Sequence, residues 1–175
     1  MRYVALWRGI NVGKAKRLAM ADLKALLTEL GATNVATLLN SGNAVFDVKK
    51  KLTADKIRAA VAEKLGVDAV VILKTSAEWA AIAAANPIAE ADDASRLLVA
   101  VPADATALQA VANIVADSGE RFVVTADAAY LWCGNGILES KAAVALLKKL
   151  GEAGTTRNWA TVGKLDALAN PSLLT

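Results

Sequence analysis

The stretch NVATLLNSGNAVFDV, residues 34–48, reads as strand, turn and strand. Its Val, Thr, Leu and Phe residues over Asn34–Leu39 and Ala44–Val48 suit a pleated, half-buried surface. Ser41-Gly42-Asn43 between them is turn chemistry. Upstream, Ala19–Leu30 carries apolar residues at helical spacing and Gly31 stops it. The apolar Tyr3–Arg8 before that is a strand. Downstream, a helix over Thr53–Leu65, capped by Thr53 and ended by Gly66, leads to a strand at Ala69–Leu73. The order β-α-β-β-α-β is the ferredoxin-like or split-βαβ plan.

The same order then restarts. A helix over Ser76–Ala85 ends at Asn86-Pro87, and the polar, acidic run to Ser95 is a connector. Leu97–Val101 is a strand, Thr106–Val115 a helix, Arg121–Thr125 and Ala129–Cys133 strands, and Ser140–Leu150 a helix ending at Gly151. A final helix over Arg157–Leu168 stands where a fourth strand is due. The expected fold class is α+β: two ferredoxin-like (α/β-plait) halves with antiparallel sheets and helices, the second incomplete or varied. The segments are 1–75, a helix and connector over 76–95, and 96–175. YVALW, LLVAV and YLWC are apolar on both faces, so something must cover the second face: the other half, another subunit or a stacked ligand.

The composition closes several routes. Among 175 residues there is one cysteine, Cys133, and no histidine. A Ser-His-Asp or Cys-His mechanism lacks its base, and a zinc or iron–sulfur site within one chain lacks its ligands. No metal and no cofactor are expected. No apolar run reaches the roughly 18 residues of a membrane span, and the opening MRYVALWRG is not a secretory signal. A cytoplasmic protein off the membrane is the expectation. Charge is uneven: residues 1–75 hold 13 Lys/Arg against 6 Asp/Glu, net +7, and residues 76–175 hold 7 against 11, net −4. A basic half attracts anions.

In the ferredoxin-like order the loop after strand one, Gly9–Arg17, and the turn at Asn40–Asn43 lie at the same end of the sheet. Arg8, Asn11, Lys14, Lys16 and Arg17 then surround the backbone of Gly9 and Gly13, and Ser41 and Asn43 approach from the turn. Glycines allow close approach of a ligand, and the following helix N-terminus favours negative charge. This is not a phosphate-binding P-loop: Gly9 to Gly13 is one residue too short for the motif, and Ala15 stands where Ser or Thr would hold magnesium. In TTRNWATVGKL, Thr155–Leu165, the helix reading aligns Arg157, Thr161 and Lys164 on one stripe and anchors Trp159 in a core. Thr155 or Thr156 would cap that helix. Arg157 at its positive end calls for a bound anion, or for a carboxylate such as Asp127 or Glu139. Ser140 and Lys141 point about 100° apart on a helix and form no dyad; Ser140 is an N-cap. Cys133, between apolar neighbours, reads as a buried, inert thiol.

RGINVGK at Arg8–Lys14, SGNAVF at Ser41–Phe46 and TTRNWATVGKL resemble the signature blocks of the bacterial domain-of-unknown-function 1697 family. The helix AMADLKALLTELG and the NGI…SK segment, Asn135–Lys141, fit the same pattern. The resemblance implies two small α/β-plait-like halves and no known activity. The chain departs from it at Lys14, where a second Gly is commoner, and at Asn40, where Gln often stands.

Three functions stay open. One is binding of a small anionic ligand, phosphorylated ones included, between the two halves by Arg8, Asn11, Lys14, Ser41, Asn43, Arg157 and Asn158. The second is a nucleic-acid-binding module, with basic loops and Tyr3, Trp7 and Phe46 as a stacking platform. The third is a structural protein that forms a homodimer through its apolar sheet faces. No catalytic residue is assigned, and whether the chain is an enzyme stays open.

Overall fold

The computed structural model of the protein describes residues 1–171, so the last four residues of the 96–175 segment lie outside it. The chain divides into two compact units: Met1–Trp79 joined by the chain from Leu165, and Ala80–Lys164.

In the first unit β1 (Arg2–Trp7), α1 (Met20–Glu29), β2 (Thr33–Thr37), β3 (Asn43–Asp47), α2 (Ala54–Leu65) and β4 (Val71–Thr75) follow in the expected order. The sheet runs β2-β3-β1-β4, antiparallel throughout. Pleating puts Tyr3, Ala5 and Trp7 on one face, where with Ala44 and Phe46 they pack against Leu23, Leu26 and Leu27 of α1 and Ile57 and Val61 of α2. The opposite face, with Val4, Leu6, Val45 and Ile72, is buried too. Local chemistry sets the ends of α2: Thr53 Oγ1 accepts the Lys56 N–H, and Gly66 adopts the left-handed conformation that closes the helix. The hairpin quoted above differs in detail. A bulge interrupts the pairing between Thr33 and Ala36, β2 ends at Thr37, and Leu38–Gly42 forms the turn. Strand β4 begins two residues later than expected and includes the buried Lys74.

The second unit repeats the plan with β5 (Leu97–Pro102), a 3-10 helix (Ala105–Val111), β6 (Glu120–Val124), β7 (Ala129–Cys133), α4 (Lys141–Leu150) and β8 (Gly154–Asn158), the sheet running β6-β7-β5-β8. The second half is therefore varied, not incomplete. Its variation is the first crossover, where Asp104 caps a tight 3-10 segment in place of the expected α-helix over Thr106–Val115. Local propensity does not explain the difference, since Ala107, Leu108, Gln109 and Ala110 are all strong helix formers. Leu98, Ala100, Leu131 and Cys133 face Leu146 and Leu150 of α4. A second 3-10 segment (Gly151–Ala153), α3 (Ser76–Ala84) and α5 (Trp159–Ala169) complete the described elements.

The TTRN stretch is the main correction. Residues 154–158 pair with β5, Thr155 opposite Val101 and Arg157 opposite Val99. The fourth strand exists, the helix starts at Trp159, and no helical stripe of Arg157, Thr161 and Lys164 forms. The cap is Asn158, whose Oδ1 accepts the Thr161 N–H at 2.9 Å, and neither Thr155 nor Thr156 plays that part. Two consecutive β-branched threonines fit a strand at least as well as a cap.

On the β5 face away from α4, Tyr130, Val99 and Arg157 stand in one row. Tyr130 packs edge-on to Trp159 and donates its hydroxyl to the Ile82 carbonyl at 2.6 Å. Burial, with the charge of Asp127 adding, pushes the Tyr130 phenol up to about 12. The unfolded phenol ionises near pH 10, as tyrosine ordinarily does. Between those values the folded chain holds a proton that the unfolded chain has lost, so stability falls as pH rises through this window. In a Tyr3→Phe background, the near-ultraviolet tyrosinate absorbance is expected near pH 12. A transition near pH 10 with the fold intact would contradict the burial argument.

Candidate functional site

The two loops expected to be neighbours are neighbours. The Trp7 N–H at the end of β1 donates to the Gly42 carbonyl at 2.9 Å, and the Arg8 N–H donates to the Val70 carbonyl. The β1–α1 loop then coils through four left-handed residues: Gly9, Asn11, Gly13 and Lys16. The Asn11 N–H closes it on the Lys16 carbonyl at 3.0 Å.

Asn11 is the brace of this end of the sheet. Its Oδ1 accepts the Leu18 N–H at 2.8 Å, and its Nδ2 donates to the Leu18 carbonyl at 2.8 Å and to the Asn40 carbonyl at 2.7 Å. One side chain thus fixes the start of α1 and ties the two loops together. Asn43 does the same inside the turn: fully buried, it donates to the Leu38 carbonyl at 2.7 Å and to Ser41 Oγ at 3.1 Å. Both amides were expected to touch ligand, and the geometry gives them the work of holding backbone. Replacing Asn11 by Ala removes three short bonds and leaves a β-carbon in a left-handed backbone. A loss of about 2 kcal/mol is expected in chemical denaturation. Asn11→Gly, which tolerates the conformation, should lose about 1 kcal/mol less. Equal losses in the two variants would assign the whole effect to the hydrogen bonds.

Beside the brace lies a cleft of about 410 Å³, lined by Asn11, Arg17, Leu18, Ala19, Asp22 and Asn40. It opens at the N-terminus of α1, where Ala19 supplies no side-chain cap, so the first-turn amides keep their donors for another partner. Arg17 Nη1 donates to the Asn11 and Gly13 carbonyls at 3.3 and 3.1 Å. Its Nε and Nη2 carry three more donors. Lys14 and Ser41 are exposed on the same two loops. Arg8 is half-buried, and burial lowers its pKa below the usual arginine value.

Arg157 and Asn158 belong to the second unit. Arg157 is only 9% exposed, and its Nη1 donates to Thr155 Oγ1 at 3.3 Å and to the Thr156 carbonyl at 2.8 Å. Burial lowers its pKa to about 10. Arg157 lies at the end of β8, paired with Val99 and directly before the Asn158 cap of α5. The expected stacking platform is also absent: Tyr3, Trp7 and Phe46 lie in the core against α1 and α2. Cys133 is fully buried, and burial raises its thiol pKa. Among the described residues, no helix is long and apolar enough to cross a membrane.

Of the cleft residues only Asn11 was in the expected ligand set; Arg17 was placed on the same loop but outside that set, and Leu18, Ala19, Asp22 and Asn40 were outside it too. Asn40 stands next to the quoted turn, and Asp22 in the first turn of α1 carried a readable signal as an acid near a helix N-terminus.

The family's sequence profile, described as a protein of unknown function, DUF1697, matches residues 1–132. The chain belongs to the DUF1697 family. The matched segment holds the glycine loop, the serine turn and the whole cleft, and TTRNW lies beyond it. The structure of the conserved bacterial protein SP0830 from Streptococcus pneumoniae superposes with a TM-score of 0.75 at 20% identity, covering 97% of this chain and 98% of that one. The DUF1697 chain and that protein therefore share a fold. No curated protein matches the sequence.

Proposed function

We propose that the first unit of this DUF1697 protein binds a small anionic ligand, phosphorylated ones included, in the cleft at the start of α1. The observation that carries the reading is a cleft in which an uncapped helix N-terminus and the unused donors of Arg17 share one space. Backbone amides and the helix dipole favour negative charge there, and a guanidinium recognises phosphate or carboxylate oxygens in pairs. Lys14, Ser41 and Arg8 lie on the same loops and add charge and hydrogen-bonding capacity to the approach, while Asn11 and Asn43 keep the loops in place. Arg157 and Asn158 have structural work in the second unit, and the reading does not call on them.

The net +7 of residues 1–75 supports the reading through steering, so affinity should fall with added salt. The test is a titration of isotope-labelled protein with inorganic phosphate and with adenosine monophosphate, followed by amide shifts. Shifts at Leu18–Asp22 are expected, and Arg17→Ala should weaken binding about tenfold, in the range of a hydrogen bond to a charged group. Arg17→Lys, which keeps charge but loses the fork, should lie between. Shifts confined to other surfaces would end this reading.

A further inference from the structure

The cleft carries both signs of charge. Arg17 and Asp22 both line it. They do not neutralise each other: among the described residues the Asp22 carboxylate makes no hydrogen bond or ion pair, with Arg17 or with any other group. Asp22 favours the first turn of α1, and it stands exposed on the wall of the cleft that Arg17 also lines. A plain anion would gain from Arg17 and be opposed by Asp22. A ligand with an anionic group and an ammonium group a few bonds apart meets a partner at each end. Leu18 and Ala19 line the cleft as well, and a volume of about 410 Å³ is within the range of sites for organic ligands.

We infer that the cleft takes a small organic zwitterion, an amine-bearing phosphate or carboxylate, with its anionic group on Arg17 and its ammonium on Asp22. This rests on the anion reading above and deepens it by adding the second charge. Recognition by opposite charges also discriminates: a ligand lacking the ammonium leaves Asp22 facing an anion.

The test is calorimetric titration with O-phosphoethanolamine and 4-aminobutyrate, each against its N-acetylated form, and with inorganic phosphate. In at least one pair the ammonium form is expected to bind about fivefold tighter, the upper end of what an exposed ion pair supplies. Asp22→Asn should level that pair while leaving phosphate binding unchanged or stronger, a result that loss of fold could not produce. Equal or tighter binding of both N-acetylated forms overturns the zwitterion and leaves the anion reading standing. A preference that survives Asp22→Asn overturns the role of Asp22 and with it the inference. Silence from all five probes, phosphate included, overturns both readings.

Discussion

Gly42→Ala is expected to destabilise the protein by about 3 to 4 kcal/mol. Gly42 has φ +94°, and a β-carbon built on it would lie 2.6 Å from Ile10 Cδ1 and 2.9 Å from Trp7 Cβ. Two costs add: the left-handed backbone, about 1–2 kcal/mol for a residue with a side chain, and overpacking, about 1–3 kcal/mol. Ile10 and Trp7 are fully buried, so neither can swing aside. In a chain of this size the melting temperature should fall by about 10 °C. A second variant separates the two costs. Ile10→Val removes Cδ1, so Gly42→Ala combined with Ile10→Val should lose less than the sum of the single variants. Additive losses would show that the Ile10 contact carries none of the effect, leaving it to the backbone and the Trp7 contact.

Trp7→Ala is expected to cost about 3–5 kcal/mol, the range for emptying a large aromatic site in a core. Trp7 is fully buried between the sheet and the helices of the first unit. Its position also bears on the cleft, because its backbone N–H holds the Gly42 carbonyl. Trp7→Phe should lose less than half as much, since most of the volume is kept. Thermal melts of the two variants, followed by circular dichroism, check the ranking. A loss under about 1 kcal/mol for Trp7→Ala would mean that the core relaxes into the space.

The legible parts of this fold are those decided within a few residues of chain. Thr53 and Gly66 mark the ends of α2 because a cap and a left-handed stop act locally, and Ser140 caps α4 for the same reason. Strand β8 was not legible, because its identity comes from pairing with β5, more than fifty residues earlier. Taken locally, Thr-Thr-Arg-Asn resembles a helix opening. A buried arginine in a strand also runs against the usual rule that charge stays outside.

The site divides along the same line. That the glycine loop and the serine turn share one end of the sheet followed from strand order alone. The task of Asn11 did not, because its bond to the Asn40 carbonyl spans 29 residues. Arg17 and Asp22 line one cleft at the start of α1, where the Asn11 bonds to Leu18 hold the chain.

The first unit contains chain from both sides of the second. Arg2 Nη1 donates to the Ala169 carbonyl and Asn170 Nδ2 to the Ser76 carbonyl, so β1 and the start of α3 are met by residues around the end of α5. On the ribosome, at about 5–20 residues per second, the whole of Ala80–Lys164 must emerge before those contacts can close, a delay of roughly 4 to 17 s. The nascent N-terminal sheet therefore waits without its contacts to Ala169 and Asn170, and the second unit has time to assemble first.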